Sequence, residues 1–348
     1  MSNKIFHLAV IVGVIALTFL AAGTGYPLGE VHLDRSKLPD GCSSCHKGHG
    51  SKGTAMLQAP KDELCFTCHE KLRFVILKRS NHPVVKTSQY HVSGERLPAR
   101  NPSSARHVSC FDCHNSHMAG KDKPLRGVAG YSGRGMRVKE VTRDYEVCYL
   151  CHADSANLPA TSSNMARKFN PGNASFHPVE AAGKSRFAPS LKRPLSTAST
   201  IGCSDCHGND DRMGPKGPHG SNYDKLLTGN YNTDPGPESP NAYQLCYDCH
   251  NRNSILNDES FSSHKRHVLY GGISCFSCHD SHGSATYENL ISFSQRLAFP
   301  NSFGQLAYAK MSPGKPRCFL NCHINGLTYD HKMDKGGYYI NTNNIPGW

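Results

Sequence analysis

The chain opens on an uninterrupted apolar run. After Lys4, positions Ile5 to Leu20 are almost wholly apolar, and the small residues Ala21, Ala22, Gly23, Thr24 and Gly25 follow. That succession predicts an export signal over residues 1–25, cut between Gly23 and Tyr26. A retained anchor is the competing reading, but these sixteen apolar positions fall short of the roughly twenty a spanning helix needs. No cysteine lies near the cleavage region, so lipid attachment is not expected. No later segment is apolar for long enough to cross a bilayer, so no transmembrane segment is expected after cleavage.

Past residue 25 the periodicities that mark buried helical or strand faces are faint. The pattern predicts an irregular fold, mostly coil with short α-helices and very little β-structure. Residues between His152 and Cys203 are rich in Ser, Ala and Pro and read as loop, as does Asn232 to Asn241. Composition gives the reason. Only 37% of residues are hydrophobic, a share that includes sixteen cysteines, while glycine and proline together fill 53 of 348 positions. Such a chain struggles to bury enough apolar surface to offset its conformational entropy. It is either disordered or held by something other than side chains.

The cysteines decide between these. Every cysteine belongs to a pair, and every pair is followed at once by histidine. The pairs are Cys42/Cys45 with His46, Cys65/Cys68 with His69, Cys110/Cys113 with His114, and Cys148/Cys151 with His152. Then come Cys203/Cys206 with His207, Cys246/Cys249 with His250, and Cys275/Cys278 with His279. The eighth, Cys318/Cys322 with His323, has one extra residue between its cysteines and is expected to bulge. In C-x-x-C-H the two thiols add to the vinyl groups of one haem and the adjacent imidazole ligates the iron. Disulfides and zinc sites are the bland alternatives. Neither needs a histidine after every second cysteine. The expectation is eight haem c groups held by sixteen thioether bonds, with the eight following histidines as proximal ligands.

A longer repeat contains these motifs. The first pair of each unit has a histidine shortly after it, at His49, His117, His219 and His282, three times within His-Gly-Ser. A pair containing an aliphatic residue follows: Met56-Leu57, Pro124-Leu125, Leu226-Leu227 and Leu290-Ile291. The second pair has an aromatic after its first cysteine, at Phe66, Tyr149, Tyr247 and Phe319, and short helices are expected there. Four two-haem units result, with boundaries at 26–80, 81–165, 166–253 and 254–348. This arrangement resembles the doubled CXXCH motif family of multihaem cytochromes. It is similar in kind to octahaem and hexahaem outer-surface cytochromes of metal-reducing bacteria, some of which form filaments. The resemblance implies a core of stacked haems and electron transfer as the activity.

Of 21 histidines, eight follow a cysteine pair and His7 lies in the leader, which leaves twelve for eight distal positions. His49, His117, His219 and His282 are the first candidates. His82 and His177 each stand in His-Pro-Val, a setting the family commonly uses for ligands. His264 and His267 compete in the last unit, His331 follows the last motif, and His32 precedes the first. His91 and His107 are weaker candidates. Two imidazoles per iron give a closed, low-spin centre whose potential is set largely by its axial ligands. The methionines show no repeat-consistent placement and read as packing residues. His32 has a second reading, as an arm reaching a haem of a neighbouring copy in a head-to-tail polymer.

The formal charge of +12 points first to nucleic acid or anionic surfaces. Haem changes that balance, since about sixteen propionates and about eight ferric cores bring it to about +4. Many lysines and arginines are therefore expected beside propionates, and no basic run resembles a nucleic-acid motif. The sequence reads as an exported electron conduit, extracellular or at the cell surface, with the periplasm as alternative. Its expected partners are redox-partner cytochromes or extracellular acceptors. A reductase needs one iron with an open position and a pocket of placed acids and bases. No such constellation is visible, and no catalytic residue is assigned.

Overall fold

The computed structural model describes residues 32–48, 56–59, 61–84, 108–154, 158, 163–312, 315–324 and 327–331. The leader, His7, His49, His91 and His107 lie outside the described residues.

Most of the described backbone is turn or irregular coil, as the composition predicts. Eight short α-helices interrupt it: α1 (Lys61–Phe66), α2 (Glu70–Val75), α3 (Cys110–Cys113), α4 (Asp144–His152), α5 (Met165–Lys168), α6 (Gln244–Cys249), α7 (Arg252–Leu256) and α8 (Cys275–Cys278). Tight 3-10 turns cover Gly41–Ser44, Cys203–Asp205 and Asp224–Leu226, and a π-helical turn covers Lys265–Tyr270. Cysteine spacing accounts for these turns. Residues three apart share one face of a helix, so a helical turn at each C-x-x-C aims both thiols the same way. Both cysteines of the pairs Cys148/Cys151 and Cys246/Cys249 lie on helices, α4 and α6, as expected, and the first pairs use equally short turns.

Cys68 corrects the same expectation for the second motif. Cys65 lies on α1, but that helix ends at Phe66 and Cys68 falls on the turn beyond it. Thr67 is the cause. Its hydroxyl donates to the Leu64 carbonyl at 2.7 Å and competes for the helix's last acceptors, while the Cys68 N–H closes a tight turn on the Cys65 carbonyl at 3.3 Å. The Cys68 thiol is consequently exposed, like that of Cys42, whereas the other fourteen cysteines are half-buried, and its near neighbour is the Thr67 hydroxyl at 3.8 Å.

The eighth motif departs further. Cys318 and Cys322 lie on a strand, β9, rather than on a bulged turn. Four residues of extended chain keep both side chains on one face but spread them along about 13 Å of strand. The described strands are β1 (Ser80–Asn81), β2 (Gly130–Tyr131), β3 (Arg137–Val138), β4 (Ser175–Phe176), β5 (Gly220–Ser221), β6 (Gly283–Ser284), β7 (Ala298–Phe299), β8 (Ala307–Ser312), β9 (Lys315–Ile324) and β10 (Leu327–His331). β9 pairs with β10, β7 and β8, and the remaining strands form two-residue ladders β1–β5, β2–β3 and β4–β6. The stretch read as loop between His152 and Cys203 contains α5 and β4. Asn232 to Asn241 is irregular, as expected. Among the described residues no helix is long and apolar enough to cross a membrane.

Contacts divide the chain into two units, residues 1–58 with 114–126, and residues 59–113 with 127–348. In the second unit, apolar burial gathers around second cysteine pairs. One cluster joins Tyr145, Tyr149, Ala153, Phe169 and Val179, and another joins Ala242, Tyr243, Tyr247, Leu256 and Val268. The aromatics after the first cysteine, Phe66, Tyr149, Tyr247 and Phe319, are all buried. A buried phenol needs a partner. Tyr149 donates to Glu180 at 2.6 Å and Tyr247 to Glu238 at 2.9 Å. The methionines do not all pack: Met136 and Met213 are 60% and 95% exposed, because each sits on a polar surface turn rather than against a cluster.

Candidate functional site

Around three first cysteine pairs the chain makes the same return. Lys47 donates its N–H to Met56, Gly208 to Leu226 and Asp280 to Leu290. In exchange Gln58 donates to Cys45, Thr228 to Cys206 and Ser292 to Cys278, all at 2.9 Å. The resulting bridges pair His46 with Leu57, His207 with Leu227, and His279 with Ile291. These are the aliphatic pairs of the sequence repeat. The turn before each enters left-handed backbone without glycine, at Met56, at Lys225 and Leu226, and at Asn289 and Leu290. Such residues cost about 1 kcal/mol or more each, and the bridge holds them there.

That turn aims a carbonyl at the imidazole. The Nδ1–H of His207 donates to the Lys225 carbonyl at 2.7 Å, and that of His279 to Asn289 at 2.9 Å. In the first unit His114 Nδ1–H donates to Pro124 at 2.9 Å. A carbonyl only accepts, so the proton sits on Nδ1 and the Nε2 lone pair is left for a metal. His82 and His267 are fixed alike, by the carbonyls of Pro218 and Ser263, each at 2.7 Å, and His177 by that of Ser281. Ser190 meets His250 Nδ1 at 2.9 Å.

The histidines then come in facing pairs. In the first unit the rings of His46 and His117 are 6.0 Å apart with planes 4° from parallel. In the second unit His207 and His282 are 6.2 Å apart at 4°, His82 and His152 6.3 Å at 53°, and His264 and His279 6.3 Å at 41°. Each pair joins one cysteine-following histidine to one of the distal candidates. A metal–imidazole bond is about 2 Å long, so two rings on opposite faces of one iron have centres about 6 Å apart. The spacing fits a haem iron between them. Among the described residues no group of three or more His, Cys, Asp or Glu gathers to hold a bare ion. The donors come in twos, as a porphyrin requires.

Burial favours the neutral form of eight of the histidine rings. Burial, with neighbouring imidazoles, pulls His152, His250 and His264 down to about 4. Burial also lowers His82, His177, His207, His267 and His279. A neutral ring is the form that binds metal. Thiols of successive motifs approach one another within hydrogen-bonding reach: Cys65 and Cys110, Cys148 and Cys203, and Cys246 and Cys275. In the second motif it is therefore Cys65 that meets a neighbouring pair, while Cys68 stays at the surface.

Two ladders carry four of the distal candidates. β1–β5 pairs Ser80 with Ser221 and Asn81 with Gly220, which sets His82 and His219 next on their strands. β4–β6 pairs Ser175 with Ser284 and Phe176 with Gly283, and His177 N–H donates to the His282 carbonyl at 3.0 Å. Beside His282, the Asp280 carboxylate lies 3.3 Å from Nδ1 and 2.6 Å from Lys168. Burial works against its charge, yet the bonds from His282 and Lys168 hold the carboxyl well below the usual range.

His264 and His267, rivals in sequence, both lie against Phe261, and His264 also faces His279. His32 is half-buried ahead of the first pair. His323 and His331 stand on β9 and β10, where the backbone alone is described. Sequence reasoning missed Ser80, Ser175, Lys225, Asn289 and Asp280. A signal existed in the doubled Ser-x-His-Pro-Val at Ser80–Val84 and Ser175–Val179.

A family model described as the doubled CXXCH motif matches residues 38–74 and 103–157. A second, described as outer membrane cytochrome MtrC/MtrF-like, domains II/IV, matches residues 133–290. The chain is 28% identical over 113 residues to the multiheme cytochrome MtrA of Shewanella baltica (strain OS185). That alignment covers 32% of this chain and 24% of the relative, so the chain spans about a quarter of the protein it matches. No solved structure matches.

Proposed function

From a chain that carries the doubled CXXCH motif of multihaem c-type cytochromes and a stretch like an outer membrane cytochrome's domains II/IV, we propose that it holds eight haems between paired histidines and passes electrons along them. One observation carries this reading. In four separate places a cysteine-following histidine faces a second histidine at 6.0–6.3 Å. The sixteen cysteines attach the haems in four two-haem units, with β9 bending to bring Cys318 and Cys322 to one haem, and His46, His69, His114, His152, His207, His250, His279 and His323 are the proximal ligands. His117, His82, His282 and His264 close the irons of His46, His152, His207 and His279, and His177 is a further distal ligand. Each haem, when bound, supplies a one-electron ferric/ferrous couple. The chain's own part is to place and tune them. The thiol contacts Cys65–Cys110, Cys148–Cys203 and Cys246–Cys275 support neighbouring haems in the order of their attachment.

With both axial positions filled, these four irons offer no place for substrate, and the same closure at the other four makes the chain an electron carrier and not a reductase. Its setting is outside the cytoplasm, at the cell surface or in the periplasm, with another cytochrome or an extracellular acceptor as partner. The head-to-tail polymer rests on His32 alone, and His32→Ala tests it by loss of assembly with one haem perturbed. Intact-mass measurement of the purified holoprotein tests the whole reading. Eight haem additions per chain with a stepwise reductive titration are expected. Fewer additions overturn the count of eight, and a ferric haem that binds cyanide points to an open site and a reductase.

A further inference from the structure

The two short ladders do more than carry candidate ligands. Each has a serine that reaches into the turn of a different cysteine pair. Ser80 of β1 accepts the Leu226 N–H at 2.9 Å, and Leu226 follows the carbonyl that fixes His207. Ser175 of β4 accepts the Leu290 N–H at 2.8 Å and donates to the Tyr287 carbonyl at 2.6 Å, and Leu290 follows the carbonyl that fixes His279. On the other strand β6 begins beside His282, whose ring faces His207 rather than His279, the imidazole three residues before it.

On the basis of the eight-haem reading, we infer that the haem bound at Cys203/Cys206 is clamped by both ladders: β1–β5 orients its proximal His207 through Ser80, and β4–β6 delivers its distal ligand, His282. The β4–β6 ladder thus serves two haems. It gives His282 to the haem at Cys203/Cys206. Through Ser175 it steadies His279, the proximal ligand at Cys275/Cys278. His282 thus ligates the haem of the preceding unit, not the haem of its own motif. The first unit of the structure obeys the same rule, since His117 faces His46 and not His114. Ligand exchange of this kind makes the units interdependent: the haem at Cys203/Cys206 is six-coordinate only when the segments around Ser175 and His282 are folded against each other. Ser80 and Ser175 are positioning residues that touch no haem themselves.

Counting low-spin irons in paired variants tests the assignment without removing a haem attachment. In wild-type holoprotein, low-temperature electron paramagnetic resonance fixes the low-spin count. His282→Ala should convert one iron to high-spin, and added imidazole should restore it, which separates ligand loss from misfolding. His207→Ala with His282→Ala should lose only one low-spin iron, because both rings serve the same metal. His279→Ala with His282→Ala should lose two. The reverse result, two lost in the first pair and one in the second, overturns the exchange while leaving the eight-haem reading intact. A high-spin iron in the wild type counts instead against that reading. Ser175→Ala should broaden the signals of more than one haem, whereas an effect confined to thermal stability removes it from the clamp.

Discussion

The β1–β5 and β4–β6 ladders are two copies of one backbone device with different electrostatics. Each pairs Ser-x-His-Pro-Val with His-Gly-Ser, and each holds the left-handed turn of a neighbouring cysteine pair by a serine hydroxyl. The difference lies before the post-motif histidine. Gly217-Pro218 precede His219, whereas Asp280-Ser281 precede His282, and the Asp280 carboxylate sits against the imidazole. The two copies share their geometry, and single substitutions on it set the charge each ring feels. On the proposed reading, a chain that copies one clamp would still obtain haems of different potential.

The comparison breaks most severely at its glycines. A Cβ at Gly220 would meet the Val75 carbonyl oxygen at 1.9 Å, and at Gly283 the Lys168 carbonyl oxygen at 2.1 Å. Gly220→Ala and Gly283→Ala should each lower holoprotein stability by about 1–3 kcal/mol or more, by similar amounts, in thermal unfolding. A loss at only one position separates the two ladders. A smaller change sharpens the contrast. A carboxylate on the outer nitrogen raises ligand basicity and so favours the ferric state. Asp280→Asn should raise the potential of one haem, by about 60 mV for a tenfold change in relative affinity, as read in a potentiometric titration. The Pro218 side has no equivalent substitution to make. Smallest are Ser80→Ala and Ser175→Ala, each expected to cost about 1 kcal/mol for the lost hydrogen bond by the same unfolding measurement.

The same contrast shows what the sequence could say. Attachment and proximal ligation are local chemistry, so Cys203, Cys206 and His207 announce themselves within five residues. Even there the local backbone can differ, since a threonine hydroxyl ends α1 two residues short of Cys68. Distal ligation is not local. His82 and Pro218 meet across 136 residues, and His177 and Ser281 across 104. The His-Pro-Val and His-Gly-Ser signals were visible, but two-residue ladders leave no periodicity from which to pair them. His264 and His267 could not be ranked because both lie on or beside one π-helical turn. The strand under Cys318 and Cys322 was hidden for another reason. A cysteine spacing one residue longer than the others reads equally as a bulged turn or as extended chain, and pairing with β7, β8 and β10 selects the latter. The exposure of Met136 and Met213 reflects how little side-chain core there is for a methionine to join.

The most direct test of the account is low-temperature electron paramagnetic resonance of the fully oxidised holoprotein, with integration against its haem content. The account predicts low-spin ferric signals alone, about eight per chain, one for each cysteine pair. A high-spin signal from an intact haem would contradict it, because an iron with an open face is a place for chemistry and not merely a stage in conduction.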